Sequence, residues 1–533
     1  MHPQDTNTTV AKSATHFLTG TFISRVTGMV RDLSMAYWYG TSPAIAAFLL
    51  AFRLSNLLRR LFGEGALLNG FIPFFEGKRK NDPKEAALFF RDLFWSLVVI
   101  LTFIIVGLEG ITGAILYFFD LSYGTKQILK MIMCMLPGLI FICLFGLSIA
   151  LLQCERNFFT PGIAPVAFNL VWIIAVWLCR HQEPYRAMMG ISVGVVIAFF
   201  LQWWATLAGV KRYAGQFLTF REWLGARLFT QELKDMVIPL LLGVIGVAAV
   251  QINSAVDVII ARWASLEGPA YLSYAHRLQQ LPLALFGIAI ASALMPPLTR
   301  AIKHDDHKNY KSLLKFAFGR TFSLLFPGTI AIFLLGGASV NLLYGRGEFN
   351  NMSTIHTTYC LWGYGLGLVP AAFVLLLAPA FYARRDFWTP TLASLISVTM
   401  NLVLNIILVF GLSMGTLGIS IATSIAAYYN ARFLLSRLNI RILSAVMPTF
   451  VKVVFASLTA GIATLLFGYF FLHDPTVRLF LGDLTVEYSR EFIVQLKEFL
   501  VLTSFYGTIF LLLSYFLRID HVLSMMGLSK ASV

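Results

Sequence analysis

Charge is scarce in this sequence. Of 533 residues 13% are charged, against roughly 25% in an average soluble chain, so a water-facing surface of ordinary size is excluded. Cysteine is equally thin. Cys134, Cys143, Cys154, Cys179 and Cys360 lie in or beside apolar stretches and form no CxxC pair; they read as packing residues, with neither a disulfide framework nor a metal site expected. There is no GxxxxGK[ST] phosphate loop, which argues against ATP hydrolysis by this chain. No extramembrane stretch is long enough for a soluble catalytic domain. Alternating segments of about ten residues, the mark of a membrane barrel, are missing as well. Met1–Ala11 is polar and lacks both an early basic cluster and a cleavage site, so a removed signal peptide is not expected.

What fills the sequence is apolar. Hydrophobic residues make up 58% and the mean hydropathy is +0.76. Runs such as Leu97–Ile115, Gly162–Leu178, Ile191–Leu207, Leu240–Val256, Leu395–Leu412 and Phe499–Leu517 approach or reach the roughly 20 residues that carry a helix across hydrocarbon. With stretches that hold a few charges, about fourteen spans are expected. The fold class is therefore all-α, a polytopic membrane protein. The net charge of +15 does not signal nucleic acid, because basic residues gather in alternate loops: Lys78–Lys84, Lys211–Lys234, Arg300–Lys315, Arg384–Arg385 and Arg432–Arg441. Intervening loops such as Tyr39–Ala44 and Gly411–Gly415 are nearly free of them. That alternation predicts both termini in the cytoplasm.

The chain also repeats itself. Ala51-Phe-Arg-Leu-Ser-Asn-Leu57 resembles Ala275-His-Arg-Leu-Gln-Gln-Leu281, and Pro73 meets Pro297 at an offset of 224 (297 − 73). Arg156-Asn-Phe-Phe-Thr-Pro161 resembles Arg385-Asp-Phe-Trp-Thr-Pro390 at an offset of 229 (390 − 161). Two six-helix lobes of the same orientation follow, 1–220 and 221–443, with 444–533 supplying two further helices. Parallel repeats of this kind build transporters. In the second motif Thr160 and Thr389 are expected to cap a helix, with proline at its first position.

The informative residues are charges inside spans. An arginine at a helix centre costs about 2.5–3.5 kcal/mol, so it faces protein or an aqueous cavity. The first span carries Arg25, Arg31 and Asp32. The second carries a stripe of Arg53, Asn56, Arg60 and Glu64, with Arg59 beside it. Arg277 stands at the repeat position of Arg53. Asp32 can neutralise one arginine and His276 none, so a surplus of guanidinium forks remains, suited to phosphate. A lipid with a pyrophosphate headgroup is the anion most naturally met in a membrane. Asp257 is the lone acid of its span, and Asn401 and Asn405 lie one turn apart in another. A carboxylate with amide oxygens suits a sodium ion or proton; a helix–helix hydrogen bond is the plainer alternative.

At Ser24-Arg25-Val-Thr-Gly28-Met-Val-Arg31-Asp32, Asn56-Leu-Leu-Arg59-Arg60-Leu-Phe-Gly-Glu64-Gly65-Ala66, Phe71-Ile-Pro73, Tyr274-Ala-His276-Arg277-Leu278 and Ala378-Pro379, the sequence resembles the lipid II flippase (MurJ/MviN) family. That family belongs to the multidrug/oligosaccharidyl-lipid/polysaccharide exporter superfamily. The resemblance implies fourteen spans, a cationic cavity between two lobes, and two C-terminal helices lining a groove for a polyprenyl tail. It implies a transporter with no enzyme activity and no cofactor; Asp257, Asn401 and Asn405 are the candidates for coupling to a sodium ion or proton, and ATP is not expected to take part. The implied cargo, lipid II, passes from the cytoplasmic to the outer leaflet of the bacterial inner membrane. Arg25, Arg31, Arg59 and Arg277 match the family's functional positions, with Ser24, Asp32 and Glu64 beside them as substrate-binding candidates. Ala46 and His276 stand where the family commonly has aspartate, which leaves the cavity more positive. The expected working unit is a monomer among membrane lipids, with the cell-wall synthesis machinery as the protein partner to consider. The alternatives are a flippase for another polyprenyl-linked saccharide, a multidrug exporter, and a membrane enzyme acting on polyprenyl phosphates. A drug exporter would want acids in its cavity, and the enzyme would need clustered Asp, His or Ser near one interface.

Overall fold

Apolar runs of this length leave the backbone one way to satisfy its own polar groups in lipid, which is helix. The computed structural model describes residues 7–62, 66–155, 157–438, 442–483 and 485–527. Among them there is no strand. The chain falls into two compact units, 1–255 and 256–533.

Unit 1 holds α1 (Asn7–Tyr39), α2 (Pro43–Phe62), α3 (Ala66–Asn81), α4 (Pro83–Phe118), α5 (Tyr123–Met135), α6 (Gly138–Cys154), α7 (Phe159–Cys179), α8 (Pro184–Phe217), the short α9 (Phe220–Leu224) and most of α10 (Gln231–Ala264). Unit 2 holds α11 (Gly268–Pro282), which runs through a π-helical segment, Leu283–Ile288, into α12 (Ala289–Lys303). Then come α13 (His307–Tyr344), α14 (Asn351–Leu366), α15 (Leu368–Ala383), α16 (Trp388–Ile406), α17 (Gly415–Arg437), α18 (Ile442–Phe467), α19 (Pro475–Phe480) and α20 (Phe492–Phe516). Eight of these, counting α11–α12 as one, are long and apolar enough to cross a membrane, and the bent pairs α5–α6 and α14–α15 raise the number to ten. A count of fourteen requires α1, α2, α10 and α17, of 33, 20, 34 and 23 residues, to span as well. Large apolar side chains such as Phe103 and Phe118 on α4 are about three-quarters exposed, at 74% and 75%, as helices solvated by lipid require.

Packing partners correspond between the units. In unit 1, α2 packs on α5, and α8 on α5, α6 and α7; in unit 2, α11 packs on α14, and α17 on α14, α15 and α16. Both bent pairs break by 43°. Asp82 caps α4 by accepting from Lys84 N–H, and Asp306, 224 residues on, caps α13 by accepting from Asn309 N–H. Asn157 Oδ1 accepts from Thr160 N–H at 3.2 Å and Asp386 Oδ1 from Thr389 N–H at 3.0 Å, a matching pair at offset 229. This corrects the expected threonine caps. The helices start at Phe159 and Trp388, so each threonine already lies inside its helix and each proline stands third. The side chain two residues before the helix takes the free N–H.

Two further features position the site. Gly20 lets α1 cross α7 at backbone distance: a Cβ there would lie 2.9 Å from the Gly162 carbonyl carbon. Small residues at such crossings gain close packing where lipid offers no hydrophobic drive. Secondly, the segment joining the two repeats is strapped to α4. Arg91 and Asp92, both buried, form an ion pair at 2.6 Å. Arg91 donates to the Glu222 carbonyl at 2.8 Å and Asp92 accepts from Arg227 N–H at 2.9 Å. Trp95 Nε1 donates to the Trp223 carbonyl. This strap and the Lys78–Glu232 ion pair at 2.6 Å tie the start of α10 to unit 1.

Candidate functional site

In unit 1 the site is built from α1 and α7. Arg31 is 7% exposed. Its Nε and Nη2 donate to Asp32 Oδ1 at 3.0 and 2.7 Å and its Nη1 to Asn169 Oδ1 at 3.1 Å. The amide of Asn169 turns its other end to α1, donating to the Ser24 carbonyl and to Thr27 Oγ1, both at 3.0 Å. The guanidinium carbon stands 4.6 Å from the centre of the Trp172 ring and 5.9 Å from that of Phe168, close enough for cation–π attraction. The acid pairs with its chain neighbour, although helical spacing puts Arg25 on the same face seven residues away; a guanidinium on a long stem reaches round the helix. Ser24 contributes its carbonyl to this cluster. Arg25 is exposed and forms no ion pair among the described residues. Arg53 is half-buried and Asn56 buried, its amide spent on the Phe52 carbonyl at 2.8 Å. Glu64 and the side chains of Arg59 and Arg60 lie outside the described residues. Asn169 and Trp172 were not singled out by charge; an asparagine inside an apolar span was the available signal.

In unit 2 Arg277 is exposed on α11 and His276, half-buried, lies with Nε2 2.7 Å from Gln280 Nε2. The second cluster lies on α10 and α16. Asp257 is 7% exposed, Asn401 1% and Asn405 0%. Both amides donate to one oxygen, Asp257 Oδ1, at 2.8 and 2.7 Å, so the three residues paired in the sequence reading do meet. The i,i+4 spacing of the asparagines sets both on the face that meets α10. Asn405 Oδ1 is buried with no hydrogen-bond partner among the described residues, which leaves an amide oxygen beside a carboxylate. No group of three or more His, Cys, Asp or Glu able to hold a metal ion occurs among the described residues.

Elsewhere in unit 2, α20 carries an open cavity of about 490 Å³ lined by Leu500, Val501, Ser504, Phe505, Thr508 and Ile509. The Phe505 ring stacks on Phe467 of α18 with centroids 4.2 Å apart.

With this geometry in place, relatives are informative. A family model described as "Lipid II flippase MurJ" matches residues 35–485. A probable lipid II flippase MurJ of Chlamydia pneumoniae is 34% identical over 440 residues, covering 81% of this chain and 78% of the relative. The lipid II flippase MurJ of Burkholderia cenocepacia is 30% identical over 385 residues, 69% of this chain and 72% of its own. Among solved structures, a lipid II flippase MurJ in an inward closed conformation superposes with a TM-score of 0.75 at 22% identity, covering 94% and 98% of the two chains. An inward-facing multidrug resistance MATE transporter of the MOP superfamily gives 0.67 at 15% identity, covering 81% and 99%. The last two bear on the fold alone.

Proposed function

The chain belongs to the lipid II flippase MurJ family, and from that premise we propose how its residues divide the work. It is a transporter, not an enzyme, and a multi-pass protein of the inner membrane. It carries lipid II, the pyrophosphate-linked peptidoglycan precursor, from the cytoplasmic to the outer leaflet by alternating access. The termini are cytoplasmic, the protein works as a monomer, and ATP takes no part.

The observation that carries the reading of the headgroup is the exposure of Arg25 on α1 and of Arg277 on α11, the latter in a helix long and apolar enough to cross a membrane. An arginine in such a helix is tolerated where protein or an aqueous cavity receives it, and paired donors match a pyrophosphate. These two side chains meet the headgroup during transport, with Arg59 as the third candidate. The cavity on α20 takes part of the polyprenyl tail; its lining is apolar apart from two hydroxyls. The buried carboxylate of Asp257, with the amides of Asn401 and Asn405 gathered on one of its oxygens, takes a monovalent cation or proton, the ligands a carboxylate with amide oxygens suits.

Complementation of a flippase-depleted strain tests the headgroup reading, with membrane abundance measured for each variant. Arg277→Ala should lower headgroup affinity tenfold or more, corresponding to about 1.5–3 kcal/mol for a charge-assisted bond. Arg277→Lys should restore part of it. Full activity of Arg25→Ala and Arg277→Ala at normal abundance would refute the assignment.

A further inference from the structure

Beyond α20 the chain turns back onto unit 2. Arg518 reverses it with φ at +51°, a left-handed conformation that favours glycine. Ile519 N–H closes the turn by donating to the Ser514 carbonyl at 2.9 Å. A short helix follows, α21 (Asp520–Leu523), extended by a 3₁₀ turn, Ser524–Met526; it packs on α13 and α20. Ile519, Val522 and Leu523 are 1%, 5% and 6% exposed, and the first two join the apolar core that holds Phe318 of α13 and Phe510 of α20. These anchors hold a turn that its own residues do not favour. Between them His521 faces α13. Its ring meets Phe316 edge-on with centroids 5.5 Å apart, and it fills the notch at Gly319, where a Cβ would lie 2.5 Å from His521 Nε2. His521 Nδ1 is buried with no hydrogen-bond partner among the described residues. The charged groups around the ring are Lys315, exposed, and Arg320, half-buried, on α13, with Arg518 and Asp520, both exposed, in its own turn; α20 adds the exposed Tyr515. Burial lowers the His521 pKa from 6.5, and the Arg320 charge lowers it further against the opposing pull of Asp520.

We propose that Ile519–Met526 form a clasp fastening α20 to α13, with His521 as its proton-sensitive catch. A neutral imidazole fits the notch. Protonation sets a second positive charge beside Arg320, in a place that offers the new Nδ1–H no acceptor, and the clasp opens. The docked pKa lies below the free value, so the contribution of His521 is full above pH 6.5 and is lost as pH falls below it. One proton gives at most about a tenfold change in the clasp equilibrium per pH unit. His521 is thus a positioning residue for α20. That helix carries the cavity read above as the site of the polyprenyl tail, so an open clasp frees the wall of that cavity; this consequence rests on the tail reading, and the clasp does not.

The test measures the distance between nitroxides at K315C and M525C, both exposed positions, in the purified full chain. A C134S background suits it, because Cys143, Cys154, Cys179 and Cys360 are buried. The distribution should be narrow at neutral pH and gain a broad, released component as pH falls through 6.5, growing by up to about tenfold per unit. The same titration is run with V522A, which trims an anchor and brings the released fraction into measurable range. H521Q, neutral at every pH, should stay narrow throughout, and R320Q should show a smaller acid response than the wild type. H521K and G319L, which place a fixed charge or extra bulk in the notch, should be released at neutral pH. A distribution that stays narrow through the titration in both the wild type and V522A would overturn the proposal, as would an H521Q that loosens in acid like the wild type. If H521K and G319L cannot be purified, H521Q and R320Q decide. Lipid II transport by H521K separates the two readings: a slowed rate supports both, and a wild-type rate from a released clasp refutes the tail assignment while the clasp stands.

Discussion

Asp92→Ala should release the strap between the repeats, and its size follows from the contacts. Asp92 takes two guanidinium donors of Arg91 at 2.8 and 2.6 Å and the Arg227 N–H at 2.9 Å, with the two side chains only 6% and 8% exposed as residues. Breaking a buried pair from one side costs about 3–5 kcal/mol. Arg91 keeps its bond to the Glu222 carbonyl, which places this case near the lower figure, about 3 kcal/mol. Where opening is fast relative to cleavage, proteolysis follows the population of the open form, so tryptic cutting at the exposed Arg221 and Arg227 should accelerate about a hundredfold. Cutting elsewhere should change little. The double variant R91L/D92L removes the stranded charge and should be far slower to cut than D92A. Unchanged cutting in D92A, or cutting in the double variant as fast as in D92A, would refute the claim that this ion pair holds the strap.

Three other outcomes are expected. Gly20→Val forces a side chain onto the Gly162 backbone and should cost about 1–3 kcal/mol, read as a lower melting temperature; an unchanged one would mean that α1 and α7 do not cross there. Asp474, between α18 and α19, accepts from Thr476 and Val477 N–H, its buried Oδ2 has no hydrogen-bond partner among the described residues, and burial raises its pKa from 3.8 to about 6. Its folded pKa lies above the unfolded one, so its contribution is full below pH 3.8 and is lost as pH rises through about 6. Asp474→Asn should therefore stabilise the protein at pH 7 to 8 and flatten that slope; a variant with the wild-type slope would contradict this. Finally, a thiol replacing Lys80 should resist an impermeant reagent in intact cells, and its modification would overturn the assigned orientation.

Much of the architecture is legible in one dimension because a lipid solvent demands long apolar runs, and because the repeat leaves residue matches at nearly constant offset. The meeting of Asp257 with Asn401 and Asn405 was legible for the same reason: three polar groups in apolar spans have few other partners. What was not legible depends on side-chain reach and distant contacts. Helical spacing gives the direction of a Cβ, so it pointed Asp32 toward Arg25, while the guanidinium of the adjacent Arg31 curls back to the carboxylate. The threonine caps failed because the helices begin one residue earlier, at Phe159 and Trp388, and Asn157 and Asp386 accept from the threonines' own N–H groups. The strap joins residues more than 130 positions apart, and no local pattern announces it.

Transport itself is most directly measured with the purified chain in sealed liposomes that carry lipid II. Lipid II in the outer leaflet is consumed by an added impermeant enzyme acting on the exposed headgroup, and the residue that survives is quantified. With active protein the inner-leaflet pool should be drawn out and consumed as well, and Arg277→Ala should protect that pool. A protected inner pool with the wild-type chain across sodium, pH and membrane potential would contradict the account, as would wild-type rates from Arg277→Ala.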